Sequence, residues 1–367
     1  MKQVGKGQAG LEQASLAQPK HRVTAAQFFL GMFVSQGAAA LGLNTQYAGG
    51  EHLLDNVASA LLALGLGFIL AIPVWLLQKG NQGAVALDRP GKAAALGYLL
   101  YFVWEAAAGL ALFQIFLLDT VNPDFSAGFV AAALLGAGLY GALRGVETIA
   151  RCGVCVFAVL VLGCGLVFGM VALRFRPENL EPLFYQGFGQ MGQGVALFLS
   201  RTTAFAEMAL LLPQVRGNRA RGFAGWSLGS GAFTCLVLVL VVGCLGPYAA
   251  TQNFPVYTLA ATTQVRSLQR LDTVFVGVWI AGLAIRLAWG LYACRLCAGA
   301  VFSKGRTKGW TAAAACFVLA LAQLAVAFPA VQRVVLSTRL LLWATLGAGC
   351  LVPLLLFLVR RGKRAAG

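Results

Sequence analysis

Four ionisable side chains, Glu105, Arg201, Glu207 and Arg286, stand inside long apolar stretches of the sequence. A charge in that setting is costly unless it is paired or meets a ligand, so each marks an ion pair between helices or a site for a solute or ion. Arg201 and Glu207 are six residues apart, about 240° around a regular helix, and meet only if the segment between them unwinds. Arg286 has two candidate partners, Glu105 and Glu207. Two of the apolar stretches are also peppered with glycine and polar residues: Ser35-Gln36-Gly37 with Gly42, and Gly192, Gly194 with Ser200-Arg201-Thr202-Thr203. A helix broken there exposes N–H and C=O groups whose half-helix ends carry partial charges of opposite sign. Such a site suits a zwitterion, with its carboxylate on free N–H groups and its ammonium on free carbonyls or an acidic side chain. The candidate contacts are Gln36, Gly37 and Ala38 in the stretch Gln36–Leu41, and Thr202, Thr203 and Phe205 in Leu199–Phe205. Glu207 is the expected anchor, and Phe205 the expected cover over the ligand's side chain.

The elements that must position these residues are membrane helices. Of the 367 residues 59% are hydrophobic and only 11% charged, against about 25% charged in a soluble domain. A bilayer core needs roughly 20 apolar residues per helix. Ten stretches qualify, near 24–43, 57–77, 93–117, 127–143, 148–172, 188–212, 223–249, 273–301, 310–329 and 335–359. The expected fold is an all-α polytopic membrane protein of about ten transmembrane helices. Because spans 1 and 6 share the glycine-and-polar signature, a 5+5 inverted repeat with helices 1 and 6 broken is the expected arrangement. The corresponding division is a cytoplasmic tail at 1–22, helices 1–5 at 23–172, helices 6–10 at 173–359 and a basic tail at 360–367. The glycines Gly136, Gly138, Gly141 and Gly145, with a GxxxG spacing in the last pair, read as close helix packing.

The net charge of +16 does not indicate nucleic acid, because the basic residues lie in loops and tails rather than in one patch with interleaved aromatics. Nineteen fall on one side of the ten spans, six on the other and three inside spans. By the positive-inside rule both termini are cytoplasmic, which fits an even number of spans. The polar first 22 residues and the long run after them do not read as a cleavable signal. Two CxxC pairs, Cys152/Cys155 and Cys294/Cys297, read as small residues one turn apart in a bundle rather than as a metal or redox site, and the only histidines are His21 and His52. The sequence contains no HExxH and no P-loop, so no catalytic residue, metal or cofactor is expected. Glu147 and Arg151 form an i,i+4 pair at the start of span 5, placed to steady a helix end or an inner gate.

Several short motifs occur in order. Tyr140 precedes Gly145-Val146-Glu147-Thr148-Ile149-Ala150-Arg151, and Asn179-Leu180 with Pro182 and Gly187 precede span 6. Phe205-Ala206-Glu207 with Pro213, Asn253-Phe254-Pro255, Arg270-Leu271-Asp272 and Trp279 follow, while Leu118, Thr120 and Pro123 lie after span 3. In these residues the chain, from about Val23 to Val359, resembles the endospore germination permease family, the B-type subunits of spore nutrient receptors within the amino acid–polyamine–organocation transporter superfamily. Arg286 stands where that family often has a lysine. Gly37 is followed by Ala38-Ala39-Ala40 where the family has a glycine-rich break, and Ala206 replaces the glycine before Glu207. The resemblance implies the ten-helix inverted repeat and the sensing of a germinant, usually an amino acid, in the inner spore membrane. It also implies an A-type membrane subunit and a C-type lipoprotein as partners. The fold equally suits a secondary transporter moving an amino acid with H⁺ or Na⁺, or a passive path for water or small ions.

Overall fold

The computed structural model describes residues 23–45, 55–79, 84, 89–121, 126–181, 188–262, 271–302 and 307–365. The N-terminal tail with His21, and also His52, Pro123, Pro182, Gly187, Arg266 and Arg270, lie outside the described residues. Among the described residues there are ten apolar helical segments: α1 Ala25–Leu41, α2 Asp55–Lys79, α3 Pro90–Thr120, α4 Ala127–Arg144, α5 Val146–Arg174, α6 Gly189–Gln214, α7 Arg219–Thr251, α8 Asp272–Val301, α9 Thr307–Ala327 and α10 Pro329–Gly362. Nine are long and apolar enough to cross a bilayer. The tenth, α1, has 17 residues and reaches about 25 Å at 1.5 Å per residue.

Local chemistry fixes the ends of α1. Thr24 caps its start, with Oγ1 accepting from the Gln27 N–H while the Gln27 side chain takes the Thr24 N–H, a reciprocal capping box. Val23–Thr24 (β1) pairs in parallel with Val215–Arg216 (β2), so the start of α1 and the end of α6 lie at one face of the bundle. At its other end α1 stops at Leu41, and Gly42, Leu43 and Asn44 continue as buried, non-helical backbone. Span 1 is therefore unwound at Gly42–Asn44, not at Gln36–Leu41, which is helical. In α6 the interruption falls where expected: helix runs to Ser200, Arg201–Thr203 are non-helical, and helix resumes at Ala204. The segment bearing this break is also the most enclosed, with 78% of its apolar window buried, as irregular backbone at membrane depth requires.

The packing repeats with an offset of five helices. α1 lies against α5 as α6 lies against α10, α1 against α7 as α6 against α2, and α4 against α8 as α9 against α3. The pairs α2–α7 and α3–α8 map onto themselves. An odd number of helices per copy inverts the second relative to the first, which is the 5+5 arrangement. α3 and α8 run through the middle, each two-thirds buried.

Small residues set the closest approaches. A Cβ added to Gly153 of α5 would sit 3.0 Å from the Cα of Gly31 on α1, so the two backbones meet directly. Gly138 and Gly141 press α4 onto Leu287 and Ala288 of α8. The other two glycines of that group do not pack: Gly136 faces open space, and Gly145 has φ 109° and turns the chain between α4 and α5.

Candidate functional site

Arg286 of α8 ties the helical part of α1 to the interruption in α6. Its guanidinium forms an ion pair with Glu105 of α3, both side chains being less than 10% exposed. It also donates to the Ser35 carbonyl of α1 at 3.2 Å and to the Arg201 carbonyl in the α6 break at 2.8 Å. Of the two pairings open from sequence, the structure selects Glu105. Glu207 instead accepts from Thr203 Oγ1 at 2.7 Å, one turn away on its own segment.

The α6 break does not present free carbonyls to a ligand. Ser200 O accepts from Thr345 of α10 at 3.4 Å, Arg201 O from Arg286, and Thr202 O from Tyr101 of α3 at 3.5 Å. Tyr101 and Thr345 also hydrogen-bond each other at 3.2 Å. Three consecutive carbonyls are thus satisfied by three different helices, which is how a broken helix survives where water is scarce. The expectation that an ammonium group sits on these carbonyls is corrected accordingly. At the α1 break, Trp279 Nε1 donates to Ala38 O at 2.9 Å, and Thr45 is held by the Gln252 and Asn253 carbonyls.

Three cavities surround this centre. The largest of these three, about 860 Å³ including its mouth, is lined by Gln36, Ala38, the Gly42–Asn44 turn, Glu105, Arg201, Trp279, Arg286 and apolar groups such as Leu197 and Leu283; an opening of about 940 Å³ between the starts of α1 and α7 lies apart from the centre. A second, about 520 Å³, is lined by Gln36, Thr202, Phe205, Trp226, Ser227, Ser230 and Thr234. A third, about 280 Å³, lies on the other side of the ion pair, where Glu105 and Arg286 meet Thr203 and Glu207.

The residues singled out from sequence therefore divide. Gln36, Ala38, Glu105 and Arg286 share the largest cavity. Thr202 and Phe205 belong to the second, and Phe205 is wedged between Gly67 of α2 and Gly349 of α10 rather than covering the first. Thr203 and Glu207 belong to the third. Gly37 points at Leu160 and Phe233, away from all three. Glu147 and Arg151 pair at 2.5 Å with side chains 53% and 69% exposed, at the start of α5 and far from the centre. The free thiols divide likewise, Cys152 and Cys155 exposed, Cys294 and Cys297 buried. Tyr101 and Thr345 were not picked out by their types, yet Tyr101 stands one turn before Glu105 and so shares its helix face. That spacing is the signal that would have found it.

With this geometry in place, the comparisons with known proteins decide the family. The sequence profile described as spore germination protein matches residues 91–328, more than half of the chain. The chain belongs to the spore germination protein family. Among individual relatives, it is 27% identical over 206 residues to spore germination protein KB of Bacillus subtilis (strain 168), covering 53% of this chain and 55% of that protein. The match thus spans about half the length of that relative. Among solved structures, a Na⁺-coupled sialic acid symporter in a substrate-bound outward-open state aligns with TM-score 0.60 at 11% identity, over 90% of this chain and 80% of the symporter. A manganese transporter of Eremococcus coleocola aligns with TM-score 0.45 at 13% identity, over 94% and 81% of the two chains. The fold of this germination-family membrane protein is that of the sialic acid symporter.

Proposed function

We propose that this protein is the transporter-fold subunit of a spore germinant receptor, and that it senses an amino acid in the largest cavity. The observation that carries the reading is the composition of that cavity. It lies between the α1 and α6 breaks, and it combines a carboxylate and a guanidinium bonded to each other with an apolar wall of Leu197, Leu283 and Trp279. Opening a buried ion pair leaves two uncompensated charges. A zwitterion inserted between them keeps both paired, its carboxylate on Arg286 and its ammonium on Glu105. Gln36 and Ala38 complete the contact from α1, and Thr202, Thr203, Phe205 and Glu207 stand behind the site rather than in it.

The signal in this reading is a population shift. Arg286 holds α1, α3 and the α6 break at once, so a ligand that takes over part of its bonding changes which arrangement of these helices is favoured. The family context supports a place in the inner membrane of the spore, with both termini cytoplasmic and an A-type membrane subunit and a C-type lipoprotein as partners. Glu147 and Arg151 then lie on the cytoplasmic face, where they steady the start of α5.

Germinant-triggered release of dipicolinic acid tests this function. Spores lacking the gene should lose the response to one amino acid in a panel and regain it with the wild-type gene, but not with Arg286→Met. An unchanged germination profile in the deletion would overturn the reading.

A further inference from the structure

The largest and second cavities share part of their walls. Gln36 of α1, Phe198 of α6 and Thr234 of α7 line both. The two spaces are also displaced along the bundle axis. On α7 the second cavity takes Trp226 to Thr234 and the largest takes Thr234 to Leu238; on α1 the largest continues from Gln36 out to Asn44. Phe205 and Thr202 place the second cavity toward the end of α6, which the β1–β2 pair holds at the face where α1 begins. The cavities are therefore stacked in sequence from one side of the bundle toward the other, with Gln36, Phe198 and Thr234 at their common wall.

Their linings differ in kind. The largest cavity carries Glu105, Arg201 and Arg286. Among the described residues, no charged side chain lines the second, and its polar residues are Gln36, Thr202, Trp226 through its indole N–H, and the α7 hydroxyls Ser227, Ser230 and Thr234. These hydroxyls recur at i, i+3 and i+7 on one face of α7. Ser230 and Thr234 donate to carbonyls of their own helix, which leaves their oxygens as acceptors toward the cavity. A row of hydroxyls in an otherwise apolar wall solvates water or an alcohol and offers nothing to neutralise an ion.

We propose that the two cavities are halves of one interrupted path for small uncharged hydrophilic solutes, closed in this structure by Phe198 with Gln36 and Thr234. Charged solutes are held at the Glu105–Arg286 end, and neutral ones of glycerol size pass when the phenyl ring swings aside. This activity does not depend on the germinant reading, since it needs neither a receptor partner nor a charged ligand.

The test is stopped-flow light scattering of proteoliposomes holding the full chain, with glycerol and urea as probes and potassium and alanine as charged controls. Phe198→Ala should raise glycerol permeability severalfold over wild type and leave the controls at the level of protein-free vesicles. Adding Ser230→Val to Phe198→Ala should lower it again. Phe198→Leu, a smaller truncation, should give an intermediate rise and guards against misfolding of the alanine variant, with helical content checked by circular dichroism. Glycerol permeability equal to wild type in both folded Phe198 variants would overturn the path, and equal gains for glycerol and for potassium or alanine would overturn its restriction to uncharged solutes.

Discussion

The Arg286 guanidinium bonds Glu105 of α3 while Glu207, on the far side of the same 280 Å³ cavity, takes its hydrogen bond from Thr203. One cation therefore faces two carboxylates and, in this structure, is committed to one. Removing a single member of a buried pair costs about 3–5 kcal/mol, whereas replacing both by apolar groups of similar volume is often neutral. Glu105→Gln and Arg286→Met should each lower the thermal unfolding midpoint in detergent markedly, and the double substitution should recover most of the loss. Additive losses in the double variant would show that the pair is not the unit that matters.

Glu207 lies outside the largest cavity, so Glu207→Gln should leave amino-acid binding within about twofold of wild type, a change of roughly 0.4 kcal/mol. Gln36→Ala, which alters the wall between α1 and the ligand, should weaken binding by tenfold or more. Equilibrium dialysis of radiolabelled amino acid against purified protein measures both. A complete loss with Glu207→Gln in folded protein would return the anchor to that residue.

The carbonyls of Ser200 and Thr202 depend on hydroxyl donors from α10 and α3. Thr345→Val and Tyr101→Phe should each destabilise by about 1 kcal/mol, in the range found for hydrogen bonds between membrane helices, and should speed amide exchange at residues 200–204. Because the two hydroxyls also bond each other, the double variant should fall short of the sum of the two. Strict additivity would mean that they act independently.

Gly153 meets the backbone of Gly31, while Gly136 faces open space. Gly153→Leu should abolish recovery of folded protein by size exclusion, because the side chain has no room between α1 and α5. Gly136→Leu should be tolerated with little change. Equal effects would contradict the placement of α5 against α1.

The Glu147–Arg151 pair is exposed at more than half of each side chain, and an exposed i,i+4 pair contributes about 0.3–0.5 kcal/mol. Glu147→Gln should shift the unfolding midpoint by less than a degree or two, and less still in high salt. A large salt-insensitive shift would indicate a further contact at that face.

The sequence by itself determined the class, the ten segments and the presence of charges at Glu105, Arg201, Glu207 and Arg286 inside them, because hydrophobic length and intramembrane charge are properties of the chain read in one dimension. Residues 201–203 were also legible as a break, since Ser200-Arg201-Thr202-Thr203 interrupts an apolar run with groups that can leave the helix. The tertiary structure decided what pairs with what. Arg286 reaches Glu105 rather than Glu207 because α3 and α8 cross at the centre, a relation between residues 181 positions apart that no local pattern encodes. Likewise the carbonyls at the α6 break are occupied because Thr345 and Tyr101 arrive from α10 and α3, and at the end of α1 Trp279, from α8, adds a second donor to the Ala38 carbonyl that the Gly42 N–H already caps. Local sequence sets where a helix is able to end; the groups brought to it by distant helices satisfy the backbone there.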